Sequence, residues 1–173
     1  MHHANVIFSY TVKILFLNYE YPPIGGGAAN ATYHLLRELS ISRQDISIDA
    51  IVSSPGRATT EEIGANIRIY KIDIGKNGNL HYQRNTELLK YLFKASSLIN
   101  KLTRAKRYDA AHIFFAIPCG LLTILPGIRF PYIISLRGSD VPGYSGRYKV
   151  LYPFIKPLFK AICKNGSSVV ANS

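Results

Sequence analysis

PPIGGGAANATYHLLREL, residues 22–39, follows VKILFLN, the apolar run of residues 12–18. That run has strand length, turn-like flanks and no polar alternation, the pattern of a strand buried on both faces of a parallel sheet. Ala28, Ala31, Leu35 and Leu39 then recur at spacings of 3, 4 and 4, which predicts one buried helical face. Between strand and helix stand Gly25, Gly26 and Gly27. Glycines there permit backbone angles closed to other residues and let a ligand approach the chain closely. Amides at a helix N-terminus favour an anion. The stretch therefore reads as a phosphate-binding turn, with a plain strand-to-helix connection as the alternative.

The same alternation continues. Ile46–Ser53 (ISIDAIVS), Ile67–Ile72 (IRIYKI), Asp109–Phe115 (DAAHIFF), Pro131–Leu136 (PYIISL) and Ser167–Ser173 (SSVVANS) read as strands. Ser54-Pro55-Gly56 reads as a turn, and KNGNLHYQRN, residues 76–85, as a polar loop. Leu88, Leu92, Ala95, Ile99 and Leu102 mark a helix, with Lys90, Lys94 and Lys101 off its apolar face. Residues 149–164, KVLYPFIKPLFKAICK, read as a helix that Pro153 and Pro157 would kink or restart. The prediction is an α/β fold: a Rossmann-like parallel sheet with helices on both faces. In such sheets ligands sit at the carboxyl ends of strands, so the loops after Asn18, Ser53, Phe115 and Leu136 matter.

The chain has 173 residues and a net charge of +11, unevenly spread. Residues 1–73 carry six basic and seven acidic side chains; residues 74–108 carry eight and one, and residues 141–173 five and none. Such a surface suits anionic lipid, phosphorylated substrates or nucleic acid, or is simply solvated. No nucleic-acid motif accompanies the charge, so no nucleic-acid partner is expected. Cys119 and Cys163 have neither metal-ligand nor disulfide-framework spacing, which fits a reducing cytoplasm. No metal site is expected. The most apolar run, residues 113–128, is interrupted by Pro118, Gly120, Pro126 and Gly127 and falls short of the about 20 residues a membrane span needs. Residues 1–11 lack the features of a signal peptide and are read as an extension of unknown role, with the native start expected at or near Val12.

Two nucleotide folds are disfavoured. The dinucleotide fingerprint would want glycine where Asn30 stands and an acidic residue at the end of the second strand, which reads Val52-Ser53-Ser54. A P-loop would need a lysine followed by serine or threonine after the glycines. Paired carboxylates for glycoside hydrolysis are not apparent.

The stretch KILFLNYEYPPIGGGAAN resembles the opening of family-four glycosyltransferases, which have the two-domain GT-B fold. YDAAHIFFAIPCG (108–120), PYIISLRGSDVPGY (131–144) and SSVVANS (167–173) are similar to later segments of that family, in the same order. The resemblance covers residues 12–173 and implies an N-terminal, acceptor-side domain. In the family this half binds the acceptor and sets Gly25, Gly26 and Gly27 near the donor diphosphate. The C-terminal half binds most of the sugar nucleotide. The implied reaction moves a sugar from a nucleotide-sugar to a hydroxyl of a glycan or lipid-linked acceptor, with retention and without a cofactor or required metal. The nucleotide-sugar is a substrate. This chain alone is expected to be inactive or very weak. The alternatives are a non-catalytic acceptor- or membrane-binding remnant, or one subunit of a split enzyme with a separately encoded C-terminal domain.

Arg137, Gly138, Ser139 and Asp140 follow a strand and are expected at the site edge. Family members often carry histidine at the position of Arg137. Arginine there suits phosphate or carboxylate and is a poor proton shuttle. Asp140 would accept hydrogen bonds from acceptor hydroxyls or hold the loop. Glu20 would orient a sugar hydroxyl or be solvated. A second family histidine is replaced by Phe114, so its contact with the donor sugar does not carry over. His112 reads as a satisfied core side chain and His34 as structural. Lys149, Lys156, Lys160 and Lys164, at spacings of 7, 4 and 4, would face an anionic membrane if that helix lies on one, or point outward from an ordinary covering helix. The expected location is the cytoplasm, with a peripheral position at the inner membrane face as the variant.

Overall fold

The computed structural model describes residues 11–124, 128–141 and 152–171. Lys149, Pro126, Gly127 and nearly all of the N-terminal extension lie outside them. The strands are β1 (Val12–Leu17), β2 (Ile46–Ser54), β3 (Thr59–Ile63), β4 (Ile67–Asp73), β5 (Ala110–Phe114), β6 (Tyr132–Leu136) and β7 (Ser168–Ala171). The helices are α1 (Gly27–Ser42), α2 (Asn85–Ala105) and α3 (Tyr152–Asn165), with a short 3-10 helix at Cys119–Thr123. One sheet in the order β3-β4-β2-β1-β5-β6-β7 holds all seven strands. Every pairing is parallel except β3 with β4.

The order fixes the layers. From β1 the chain steps through α1 to β2, towards one edge. From β4 it returns through α2 to β5, on the far side of β1. Right-handed crossovers in opposite directions put α1 and α2 on opposite faces. The direction reverses between β1 and β5, and a crevice opens there at the carboxyl ends of the two strands.

The central strands are apolar because both faces are covered. Leu15, Phe16, Leu17, Ala50, Ile51, Val52, Ile113 and Phe114 are buried. On α2, Leu88, Tyr91, Ala95, Ile99 and Leu102 are buried, and the Tyr91 hydroxyl donates to the Ile51 carbonyl at 2.9 Å. Leu92, expected on that face, is partly buried against the core. α2 and α3 both pack on the 3-10 helix. Gly120 makes this possible, because a Cβ there would come within 2.8 Å of Ile162. α3 runs on through Pro157 without a break, and Pro153 stands in its first turn, where a missing N–H is tolerated.

Two expectations are corrected. The most buried face of α1 is Ala29, Thr32, Leu36 and Ser40, while Ala28, Ala31, Leu35 and Leu39 are only partly buried beside it. The seam shifts by one residue because Asn18, buried at the end of β1, needs a partner. It donates to the Thr32 hydroxyl at 2.7 Å, and that hydroxyl donates to the Ala28 carbonyl at 2.9 Å. The second correction is β3, an unexpected antiparallel edge strand. None of its residues is buried, only Ile63 packs partly against the core, and its Glu61 and Glu62 pair with Lys71 and Arg68 of β4 at 2.5 and 2.7 Å. Charged side chains of this kind blunt a sheet edge against further pairing.

Candidate functional site at the crevice between β1 and β5

The turn from β1 into α1 reaches the crevice first. The Asn18 side-chain oxygen accepts the Glu20 N–H at 2.9 Å and bends the chain out of the strand. Gly25 has φ +97°, and a Cβ on it would lie 2.5 Å from Glu20 Oε2, so only glycine fits. Gly26 and Gly27 differ: a Cβ on either would meet nothing within 4 Å. No packing inside the chain requires glycine at these two positions, and the space beside them is open. Gly26 is the N-cap of α1, and no side chain of its own caps the helix.

Glu20 is not simply solvated. Its Oε2 accepts the Gly26 N–H at 3.2 Å, so a carboxylate already sits against the helix N-terminus. The loop between β4 and α2 closes the other side of the turn. The Gly25 N–H donates to the Leu80 carbonyl at 2.9 Å, and His81 Nδ1 lies 2.7 Å from the Gly25 carbonyl oxygen. With Nδ1 protonated, His81 donates to that carbonyl. The loop is anchored by Lys76 and Glu87, a buried ion pair at 2.9 Å. Glu87 also accepts the Arg84 N–H at 2.8 Å. Burial pushes the Glu87 carboxyl up, but Lys76 and the backbone donors outweigh this and hold it below its ordinary range. This loop reads in sequence only as a polar connection; its glycines and asparagines gave no sign of its contact with the glycine turn.

β5 contributes a strained exit. Phe115 has φ +68°, a left-handed conformation that costs a non-glycine residue about 1 kcal/mol or more. It is held by its N–H to the Ser135 carbonyl and by the Gly120 N–H to its own carbonyl, both at 3.0 Å. The Phe115 and Tyr19 rings lie 4.8 Å apart, joining the β1 and β5 turns. Nothing in the apolar run HIFFAIP distinguishes Phe115 from its neighbours.

The turn after β6 contains Arg137, Gly138, Ser139 and Asp140. Asp140 is buried and accepts the Arg137 N–H at 2.9 Å and the Ala116 N–H at 2.7 Å. Its carboxylate therefore holds the two turns together. Burial raises its pKa above the ordinary carboxylate value despite these donors. Gly138 has φ +95°, and its carbonyl accepts the Val141 N–H at 2.9 Å. Ser139 is half-buried. The Arg137 guanidinium lies 3.5 Å from the centre of the Phe114 ring. His112, half-buried on β5, bonds through Nε2 to Ser135 Oγ at 2.8 Å, and burial together with nearby Arg137 pushes its pKa down to about 4. His34 is exposed on α1 beside Tyr33.

Glu20 and the three glycines thus stand beyond the carboxyl end of β1 and the Arg137–Asp140 turn beyond that of β6, with the β5 exit between them. Among the described residues, the buried side-chain atoms without a hydrogen-bond partner are Tyr21 Oη, Ser53 Oγ, Arg137 Nε and Asn66 Oδ1. The first three follow or end β1, β2 and β6, at the carboxyl edge of the sheet. Buried polar groups are rarely left unpaired, so their concentration here marks an edge suited to polar ligands. No group of three or more His, Cys, Asp or Glu side chains among the described residues is placed to hold a metal ion.

Lys156, Lys160 and Lys164 are exposed on α3. No described helix is long and apolar enough to cross a membrane. Between α2, the 3-10 helix and α3 lies a cavity of about 260 Å³ lined by Leu88, Leu92, Ile117, Leu121, Ile155 and Leu158, among others.

Two structures of sucrose-phosphate synthase from Thermosynechococcus elongatus are similar to this chain. One matches with a TM-score of 0.61 and 14% identity over 93% of this chain and 76% of that one. The other matches with a TM-score of 0.65 and 17% identity over 94% of this chain, which spans 42% of it. A UDP-forming trehalose-phosphate synthase from Burkholderia xenovorans in complex with glucose-6-phosphate matches with a TM-score of 0.50 and 15% identity, over 91% of this chain and 39% of that one. No curated protein matches the sequence. At these identities the likeness is one of fold, and it places the sheet as the Rossmann-like half of a GT-B glycosyltransferase. The model of the family described as glycosyl transferase 4-like matches residues 27–173. The chain belongs to that glycosyltransferase family.

Proposed function

We propose that this chain is the acceptor-side half of an enzyme that transfers a sugar from a nucleotide-sugar to an acceptor hydroxyl, with retention and without a required metal. The donor half would be supplied by further polypeptide, joined or separately encoded, and the chain alone would turn over slowly or not at all. The observation that carries this reading is the open space at Gly26 and Gly27, on an α1 N-terminus at the crevice where the sheet reverses. A departing diphosphate develops negative charge, and pre-aimed amides at a helix N-terminus stabilise it. The Arg137–Asp140 turn across the crevice would then shape the acceptor side.

Calorimetric titration with UDP, GDP and UDP-sugars tests this reading, with Gly26→Asp as the control. Weak binding that the variant abolishes supports it. Binding that survives the substitution would place the nucleotide elsewhere and remove the glycine turn from the site.

A second feature favours a membrane-proximal, lipid-linked acceptor. Phe93 on α2 is 80% exposed and Phe154 on α3 is 75% exposed, and Leu89 on α2 and Leu158 on α3 are exposed as well. Lys156, Lys160 and Lys164 are exposed on the same α3. Exposed apolar side chains on one flank of α3 and lysines on another are both attracted to an anionic bilayer, and this would make the protein peripheral at the inner membrane face.

A further inference from the structure

We propose that Arg137 forms a binding subsite for an anionic group, a phosphate or carboxylate, carried by the acceptor and distinct from the donor diphosphate at the glycine turn. The inference deepens the reading above and rests on it for the word acceptor; the anion site itself stands on the geometry around Arg137.

Arg137 is half-buried, its Nε is buried and makes no hydrogen bond, and it forms no ion pair with a described carboxylate. The acidic group nearest in sequence, Asp140, has one oxygen on the Arg137 N–H and the other on the Ala116 N–H. That carboxylate is committed to the backbone and does not neutralise the guanidinium. Instead the guanidinium lies on the Phe114 ring, 3.5 Å from its centre. Stacking on an aromatic face fixes the plane of the fork.

The surroundings relieve the cation only in part. His112 on the same patch is held neutral by burial and by Arg137 itself. Burial also lowers the Arg137 pKa, more than Asp140 restores it. A partly buried cation without a partner is costly, and a fork with a buried unpaired donor suits bidentate pairing with a planar or tetrahedral oxyanion. Arg137 follows β6, whereas the glycine turn follows β1, with β5 between them in the sheet. Two anion sites on separate strands of one crevice fit two substrates, one bringing a diphosphate and the other a single phosphate or carboxylate.

The test uses the isotopically labelled chain and follows the Arg137 Nε–H resonance, assigned by its loss in Arg137→Gln. The amides of Gly25 to Gly27 are read in the same spectra. The probes are inorganic phosphate, glucose 6-phosphate, unmodified glucose and UDP. Phosphate and glucose 6-phosphate are expected to move the Arg137 resonance and glucose to leave it unmoved. Affinity for glucose 6-phosphate should fall roughly tenfold or more in Arg137→Gln, and less in Arg137→Lys, which keeps the charge but not the fork. Gly26→Asp should leave this binding intact.

Two results would overturn the proposal. One is an Arg137 resonance that no anion moves in a folded chain. The other is a response to UDP alone, or a response to phosphate that Gly26→Asp removes, either of which assigns Arg137 to the donor. Failure of the glycosyl-transfer reading would look different: glycine-turn amides indifferent to UDP while Arg137 still answers to phosphate. If Arg137→Gln does not fold, Arg137→Lys and the wild-type resonance still decide.

Discussion

The Glu20 carboxylate accepts the Gly26 N–H at 3.2 Å, so the turn that enters α1 is occupied by an anion from its own chain. An incoming diphosphate would compete with that oxygen for the amide and be repelled by its charge. Glu20→Gln keeps a hydrogen-bond acceptor and removes the charge. UDP measured by calorimetry is expected to bind severalfold more tightly to Glu20→Gln than to the parent chain, with a smaller gain at high salt. Weaker binding in this variant would show that the carboxylate instead holds the turn in its binding shape.

The three glycines should separate into two kinds. Gly25→Ala forces a side chain onto φ +97° and against Glu20, which is expected to cost about 1–3 kcal/mol in urea denaturation. Gly26→Asp places its side chain in open space at an N-cap, where aspartate is favoured, so stability should stay within about 1 kcal/mol of the parent. The same variant is expected to lose UDP. A stable protein without nucleotide binding, beside an unstable Gly25 variant, distinguishes a ligand-facing glycine from a folding one.

Acid sensitivity should come in two windows. The His112 pKa is lowered from 6.5 to about 4, by burial first and by Arg137 second. Between these values the unfolded chain takes up a proton that the folded chain refuses, so stability falls as the pH drops through that interval, by about 3 kcal/mol in all. Glu87 acts lower. Its folded pKa lies below the ordinary 4.5, so its contribution is present above that value and is lost as pH falls through the depressed one. Urea midpoints across the acid range should flatten in the upper window for His112→Gln and keep their fall in the lower one. An unchanged upper limb in that variant would mean His112 titrates normally in the folded chain.

Much of the fold was legible because β1, β2, β5 and β6 are buried and apolar, and α2 repeats its apolar positions at helical spacing. What sequence patterns missed is polar or strained. Thr32 lies at the centre of the α1 seam because Asn18 needs it, and no hydrophobic period announces a threonine. β3 has no buried face, so it carries no alternation to detect. At the candidate site, the position of the glycines and of the Arg137–Asp140 turn on the carboxyl edge was legible because both follow recognisable strands. The backbone role of Asp140, the anion position of Glu20, the contact of His81 with Gly25 and the strain at Phe115 depend on turns meeting across the crevice. Such contacts join residues far apart in sequence, and residue spacing does not encode them.

The exposed faces of α2 and α3 give the last prediction. Phe93 and Phe154 are among the most exposed large apolar side chains, and a monomer in water gains nothing by presenting them. Lysines nearby would add roughly 1 kcal/mol each near an anionic surface. Co-sedimentation with vesicles of mixed neutral and anionic lipid should therefore show binding that weakens with salt. Lys156→Glu with Lys160→Glu should reduce it strongly, and Phe93→Ser with Phe154→Ser should reduce what remains at high salt. The two substitutions report different forces, because charge steers the approach while burial of aromatic surface holds the bound state. Binding indifferent to both pairs would exclude α3 and Phe93 as the membrane contact. Loss with the lysine pair alone would describe a protein held at the surface by charge without insertion.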